Sequence, residues 1–322
     1  MELNEFLAEW HNDNPRILVH TSGSTGKPKP LMVEKRRMLN SARITCDFLG
    51  LKPGDTALLC MPLDYIAGKM MVVRSLQRDL RLTTVRPSSH PLADDTLPDF
   101  TFAAMVPMQV YNTLKVPCER ERLMRIRHLI IGGGAISDEL AQMIKTLPNA
   151  VWSTYGMTET LSHIALRRLN GPDASLWYTP FDGVGISLNA EGCLVIDAPE
   201  VCAEPLATND IAQLRTDDRT GKTLFRIKGR KDNVVCSGGI KIQIEEVEET
   251  LRPHLSAPFM IVKRQDEVLG EKAILLTESA DLTHIAEICR NTLPKYWVPR
   301  EFLHIDHLPL TETGKPKRSG AF

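Results

Sequence analysis

The chain of 322 residues has almost no net charge, since 39 Lys and Arg stand against 40 Asp and Glu and leave −1 at neutral pH. No overall attraction to nucleic acid or to an anionic membrane is built in, so any anion must be held locally. The seven cysteines, at 46, 60, 118, 193, 202, 236 and 289, include no CxxC pair. That is unlike a zinc site or a disulfide framework, and it suits a reducing cytoplasm. The start, MELNEFLAEW, is acidic and lacks the basic region and apolar run of a signal peptide, and no apolar stretch is long enough to span a bilayer. Neither an internal repeat nor a low-complexity tract occurs. These absences predict a soluble cytoplasmic protein. What is present is ordinary for a globular protein with a sizeable core: 43% of residues are hydrophobic and 25% charged. The length predicts more than one domain.

Up to about residue 190 the chain alternates short β-rich runs with helical periodicity, the pattern of an α/β domain in which helices pack over a sheet. In RHLIIGGGAISDELAQMIKTLP, residues 129–131 read as a buried strand and Gly132, Gly133 and Gly134 as a turn. Ser137 reads as a helix N-cap, Asp138 and Glu139 suit the positive helix end, and Leu140, Met143, Ile144 and Leu147 share one face before Pro148. The next apolar run, 150–152, leads into STYGMTET, which predicts a second loop opening beside the first at one sheet edge. Around residues 225–240 the texture changes to charge mixed with glycine, so a boundary is expected at residues 230–233. This gives an N-terminal domain over 1–230 and a small C-terminal α+β domain over 231–322. In the latter, IEEVEETL reads as an amphipathic helix with Ile244, Val247 and Leu251 inward.

Residues 20–30 read HTSGSTGKPKP. Small residues let a backbone approach an anion, hydroxyls donate hydrogen bonds, and Lys27 or Lys29 adds positive charge, which together describe a polyphosphate cradle. A polar surface loop explains the composition equally well. The kinase-type P-loop does not fit, because two residues rather than four separate the first glycine from the Gly-Lys pair and Pro28 follows it.

Further along come YGMTE (155–159), ATNDIAQL with Asp210, GRKDN (229–233), SGGIKI (237–242) and LPLTETGKPKR (308–318). This ordered set resembles the adenylate-forming superfamily of acyl-CoA synthetases, peptide-synthetase adenylation domains and luciferases, over nearly the whole chain. The resemblance implies a layered N-terminal α/β domain and a small, mobile C-terminal lid. It also implies that Thr21, Ser22, Gly23, Ser24, Thr25, Gly26, Lys27 and Lys29 hold the β- and γ-phosphates of ATP. Gly133 and Gly134 would line the adenine and acyl pockets. Tyr155 and Gly156 would meet adenine, Thr158 a phosphate and Glu159 Mg²⁺. Asp210 would accept the ribose hydroxyls, Arg230 would lie near ribose and phosphate, and Asp232 would be the hinge. Lys315 would bridge the carboxylate and the α-phosphate during adenylation. After rotation of the small domain, Gly238 and Gly239 would leave room for the pantetheine arm of coenzyme A. Bland alternatives stand beside several of these: a helix N-terminal carboxylate for Glu159, a tight strand-to-helix turn for the glycines at 132–134, solvated charges for Asp210 and Arg230, and a basic tail for Lys315.

MPLDYIAGKMMVVRSL and TETLSHIAL are similar to the o-succinylbenzoate-CoA ligases of menaquinone biosynthesis. Such a substrate carries a second carboxylate, so the pocket needs a further positive or hydrogen-bonding group. Tyr65 falls where relatives close the acyl pocket, and Lys69, Arg74, Ser162 and His163 are candidates for the second carboxylate. Structural roles, a paired Arg74 and a packed or capping His163, are the alternatives. Two departures from the family pattern stand out. Asn209 replaces a glycine, tolerable if a left-handed backbone is needed there, and the phosphate loop begins at Thr21 without the long N-terminal subdomain of most relatives. The chain is therefore read as shortened at its front, naturally or by truncation. The expected activity is AMP-forming acid-CoA ligation using ATP, Mg²⁺ and coenzyme A, with no nucleic-acid partner. Loading of a carrier protein, another aryl or acyl acid, a silent nucleotide-binding role and homo-oligomerisation are left open.

Overall fold

The computed structural model describes residues 1–20, 30–134, 136–310 and 316–318. The chain has the expected α/β character and divides into two compact units. The first comprises Met1–Ile186, Ile196–Leu206 and Leu214–Phe225, and the second Ser187–Val195, Ala207–Gln213 and Arg226–Phe322. Two stretches of chain before residue 226 thus belong with the C-terminal part, and the units are not separated at one point in the sequence.

The largest sheet of the first unit has seven strands in the order Arg81–Thr84, Thr56–Leu59, Phe102–Met105, His128–Ile131, Ala150–Met157, Ser162–Arg168, Thr179–Pro180. The first five are parallel and the last two antiparallel. Parallel strands covered on both faces need continuous apolar runs, and FAAM at 102–105 is buried at every position. Helices Ile66–Arg78, Pro107–Lys115, Pro117–Arg125 and Asp138–Lys145 make the crossovers. The chain steps outward from Thr56–Leu59 to Arg81–Thr84, then reverses to Phe102–Met105 on the other side. In such sheets the crevice for ligands lies beyond the carboxyl ends of the strands, near that reversal.

The strand–turn–helix unit at 128–145 forms as its sequence predicts. The Ser137 hydroxyl accepts from the Leu140 amide at 3.2 Å, and Leu140 and Ile144 face the core. The second loop differs from expectation. Strand Ala150–Met157 continues through Tyr155 and Gly156, so the loop opens only at Thr158. Pairing with Ser162–Arg168 holds it extended, with a register shift between Tyr155 and Gly156. Gly156 is required there, because a Cβ would lie 2.1 Å from the Ser162 carbonyl oxygen. A separate hairpin pairs Arg16–His20 with Pro30–Glu34, making His20 and Pro30, the neighbours of segment 21–29, register partners.

Strands Gly185–Leu188, Cys193–Asp197, Leu206–Thr216 and Thr223–Arg230 form a four-stranded sheet. The second unit has a sheet in the order Ile240–Gln243, Val234–Ser237, Gly270–Thr277, Phe259–Asp266, with Glu301–His304 pairing parallel to Gly270–Thr277. Alternation along Gly270–Thr277 feeds two cores. Ala273 and Leu275 join Val247, Leu251, Ile285 and Cys289 from helices Ile244–Leu251 and Leu282–Thr292. Ile274 and Leu276 join Met260 and Val262 on the opposite face, against Leu303, Ile305 and Leu308. Ile244, Val247 and Leu251 are buried as the helical period predicts.

Candidate functional site

In the first unit, two loops leave the carboxyl ends of neighbouring parallel strands. Ile131 pairs with Ser153, so Gly132, Gly133 and Gly134 emerge beside Thr154, Tyr155 and Gly156. The approach is close, since a Cβ on Gly132 would stand 2.3 Å from the Thr154 hydroxyl. Gly133 adopts φ +81°, a left-handed conformation that favours glycine. Tyr155 is half-buried against an aromatic pair that local sequence did not reveal: its ring centroid lies 5.0 Å from Phe225, edge to face, and 5.8 Å from Tyr178. Tyr178 stacks on Phe225 and its hydroxyl lies 2.8 Å from that of Ser153. Thr158 is buried and Glu159 exposed. Residues 158–161 form a turn, so the helix-terminus reading of Glu159 does not hold. Among the described residues no group of three or more His, Cys, Asp or Glu is placed to hold a metal ion. Glu159 is instead a single exposed carboxylate, a donor set that fits Mg²⁺ when substrate phosphates and water supply the other oxygens.

A second group in the same unit joins three of the predicted substrate residues. Arg74, on helix Ile66–Arg78, is 1% exposed, and its Nη2 donates to the Ser162 hydroxyl at 3.0 Å and lies 3.5 Å from His163 Nδ1. Thr45, from helix Lys35–Leu49, completes the group. Its hydroxyl donates to the Ser41 carbonyl at 3.0 Å, so at 3.1 Å from His163 Nε2 it serves as acceptor and the ring proton sits on Nε2. Nδ1 then accepts from the Ser162 hydroxyl, 3.2 Å away. Burial, and then the Arg74 charge, hold the imidazole well below its ordinary value of 6.5. Burial lowers Arg74 to about 10, so it stays a cation at neutral pH.

Among the described residues no carboxylate pairs with Arg74; its other contact is Met71 Sδ at 3.8 Å, and its Nε is buried without a partner. A buried cation in that condition is costly unless something else completes it. The turn beneath it is strained, with Leu161 at φ +54° and Ser162 at +101°. Buried Thr160 holds that turn, accepting from the Met157 amide at 2.9 Å and donating to the Ser162 carbonyl at 2.6 Å. Lys69 does not join the group. Its ammonium donates to the Leu18 carbonyl at 2.8 Å and lies 5.8 Å from the Phe6 ring centroid, and burial lowers its pKa. Tyr65 is half-buried and stands at the start of helix Ile66–Arg78.

The second unit gathers a separate cluster. Arg230 Nη1 lies 3.2 Å from Asp210 and Nη2 lies 2.9 Å from Asp232, in the short turn Lys231–Asn233. Asn209 donates to the same Asp232 carboxylate at 3.3 Å. Asn209 does not take the left-handed backbone that its replacement of glycine suggested; it lies inside strand Leu206–Thr216, where pairing keeps it extended. Gly238 and Gly239, at φ +57° and +82°, make the two-residue turn between Val234–Ser237 and Ile240–Gln243. Lys315, the residues 21–29 and Ala135 lie outside the described residues.

The first unit is thus an α/β ligand-binding fold with a glycine turn and a Thr-Glu pair at adjoining strand ends. The chain belongs to the AMP-binding enzyme family, whose model matches residues 4–203. A 2-succinylbenzoate–CoA ligase of Bacillus mycoides strain KBAB4 is 25% identical over 95% of this chain and 69% of its own length. The solved structure of an acyl-CoA synthetase (AMP-forming)/AMP-acid ligase II-like protein from Dyadobacter fermentans is 34% identical, covers 98% of this chain and 91% of its own, and gives a TM-score of 0.68. The o-succinylbenzoate coenzyme A synthetase of Bacillus subtilis, solved with ATP and magnesium ion, shares the fold at a TM-score of 0.73 and 22% identity, over 94% of this chain and 68% of its own. Among the described residues no helix is long and apolar enough to cross a membrane.

Proposed function

We propose that the protein is an AMP-forming acid-CoA ligase acting in the cytoplasm on o-succinylbenzoate, in menaquinone biosynthesis. Membership of the AMP-binding enzyme family supports the adenylation chemistry. The observation that carries the choice of acid is buried Arg74, hydrogen-bonded to Ser162 and beside a neutral His163, with no carboxylate partner among the described residues. A dicarboxylic acid supplies the missing anion through its second carboxylate. The 2-succinylbenzoate–CoA ligase relatives support the same choice.

In the first half-reaction a carboxylate oxygen of the acid attacks the α-phosphorus of ATP, and pyrophosphate leaves. Two anions must meet, so the protein contributes position and positive potential rather than covalent chemistry. Lys315 bridges the carboxylate and an α-phosphate oxygen; at about 4 Å and an effective dielectric near 20 this is worth about 4 kcal/mol. Thr158 hydrogen-bonds phosphate, Tyr155 meets adenine, and Asp210 accepts the ribose hydroxyls. Glu159 would hold Mg²⁺, which neutralises phosphate charge when bound. In the second half-reaction the thiol of coenzyme A attacks the acyl carbonyl and AMP leaves. That step does not use Lys315.

The test is pyrophosphate release with o-succinylbenzoate against a panel of aryl and fatty acids, followed by CoA against holo carrier protein as acceptor. Preference for o-succinylbenzoate and CoA supports the proposal. Preference for another acid, transfer only to the carrier, or no acid-dependent release replaces it.

A further inference from the structure

The C-terminal sequence of the second unit is polar, yet residues 316–318 are tied down. Leu310 bridges Pro316, and the Lys317 amide donates to the Pro309 carbonyl at 2.9 Å, so the two segments flanking residues 311–315 lie side by side. Arg318 then turns into the protein. Its Nη1 and Nη2 lie 2.6 and 2.7 Å from the two carboxylate oxygens of Glu248, a two-pronged pair whose side chains are only 16% and 9% exposed. The same Nη1 donates to the Ile261 carbonyl at 2.5 Å, and Glu248 accepts from the Ile261 amide at 2.7 Å. Glu248 lies on helix Ile244–Leu251 and Ile261 on strand Phe259–Asp266, both built into the apolar core.

A buried ion pair is weak evidence for stability by itself, because desolvation offsets much of the attraction. Its geometric effect is firmer: a fork of parallel hydrogen bonds fixes one backbone position against a helix and a strand. The residue so fixed is the third after Lys315. Lysine is a point charge on a flexible stem, and a charge that must meet an α-phosphate oxygen needs a fixed origin for that stem.

We infer that Arg318 and Glu248 are positioning residues for Lys315 and serve the adenylation half-reaction alone. The inference rests on the role proposed above for Lys315. Neither residue touches substrate.

Two conservative variants test it. Arg318→Lys keeps the charge but loses the fork, and Glu248→Gln keeps the shape but leaves Arg318 without its anion. The measurements are o-succinylbenzoate-dependent ATP–pyrophosphate exchange, and thioester formation from supplied o-succinylbenzoyl-adenylate and CoA. Displacing the lysine by about 1 Å lowers kcat for exchange about 100-fold in both variants. KM for ATP and the thioester step stay within about twofold. Equal losses in both half-reactions mean a merely structural pair and overturn the inference. Retained exchange in both variants, with loss in Lys315→Ala, overturns the inference and leaves the reading of Lys315 standing. Retained exchange in Lys315→Ala overturns both.

Discussion

Arg74 donates to the Ser162 hydroxyl at 3.0 Å from a position that water does not reach, and Ser162 holds its own backbone in a strained turn to receive it. Helix Ile66–Arg78 and strand Ser162–Arg168 meet at this bond, far apart in sequence but in one unit. A guanidinium with neutral partners alone keeps most of its desolvation cost. Protein stability alone leaves that arrangement unexplained, and the second carboxylate of the acid proposed above would offset the cost.

Arg74→Met is therefore expected to separate stability from specificity. Replacing a buried, incompletely paired charge with an apolar side chain of similar length is neutral or stabilising by about 1–4 kcal/mol. Loss of one partner of a buried, hydrogen-bonded charge pair costs about 2–5 kcal/mol in binding, so kcat/KM for o-succinylbenzoate falls by at least about 30-fold. Monocarboxylic aryl acids are used as before. Chemical denaturation and an acid panel measure the two effects, and a parallel fall with every acid would show that Arg74 serves the fold only.

His163 gives a pH signature. Unfolded, it takes up a proton near its ordinary value of 6.5; folded, burial and Arg74 keep it neutral to well below that. The unfolded state consequently binds more protons below pH 6.5, and stability declines as pH falls, by up to about 1.4 kcal/mol per pH unit for this one group. Above that range the contribution is fully present. His128 is also held low, by burial and then Arg127 and Arg168, and contributes in the same direction. His163→Gln is expected to make the decline between about pH 6.5 and 5 shallower by up to one proton's worth. Urea titrations across that range measure it; an unchanged slope would mean that the imidazole is already charged in the folded protein.

Much of this was readable in advance because it was local. The Ser137 cap, the glycine turn at 132–134 and the inward face of Ile244–Leu251 follow from neighbouring residues and from helical periods. What was misread depends on partners distant in the chain. The segment at 155–157 reads as loop until the pairing with Ser162–Arg168 is known, and nothing local announces the hydrogen bond from Lys69 to the Leu18 carbonyl. Thr45 had a faint signal: with Ser41 it makes an i, i+4 polar pair among the buried Met38, Ala42, Cys46 and Leu49 of its helix. Nothing local connects that pair to His163. Tyr178 and Phe225 likewise come from other strands to meet Tyr155.

Glycines 156 and 239 should respond differently to alanine. At Gly156 the new Cβ would meet backbone, 2.1 Å from the Ser162 oxygen and 2.5 Å from the His163 Cα, so the hairpin itself must shift. Overpacking of this kind costs about 1–3 kcal/mol, and the shift moves both residues that face Arg74. At Gly239 nothing lies within 4 Å and only the positive φ of +82° resists. That penalty is about 1–2 kcal/mol. The discriminating measurement is o-succinylbenzoate-dependent exchange at matched stability: Gly156→Ala loses it and Gly239→Ala keeps it. Equal retention would disconnect the Ser162 turn from the acid site.

The cluster in the second unit calls for the opposite contrast to Arg74. Asp210, Arg230 and Asp232 are partly exposed, and one guanidinium serves two carboxylates. Ion pairs at such positions contribute about 0–1 kcal/mol to stability. If pairing were the only role of Asp210, Asp210→Asn would leave the protein little altered in any assay. A carboxylate that accepts two ribose hydroxyls has a larger effect on binding, because hydrogen bonds to a charged acceptor are worth about 1.5–3 kcal/mol each. Asp210→Asn is thus expected to raise KM for ATP about tenfold or more while the denaturation midpoint barely moves. Arg230 would still hold Asp232, so the turn Lys231–Asn233 keeps one of its two anchors. KM for 2′-deoxy-ATP decides between the roles. In the unaltered protein it exceeds KM for ATP, and in Asp210→Asn the difference narrows; a difference that persists would assign ribose recognition to another residue.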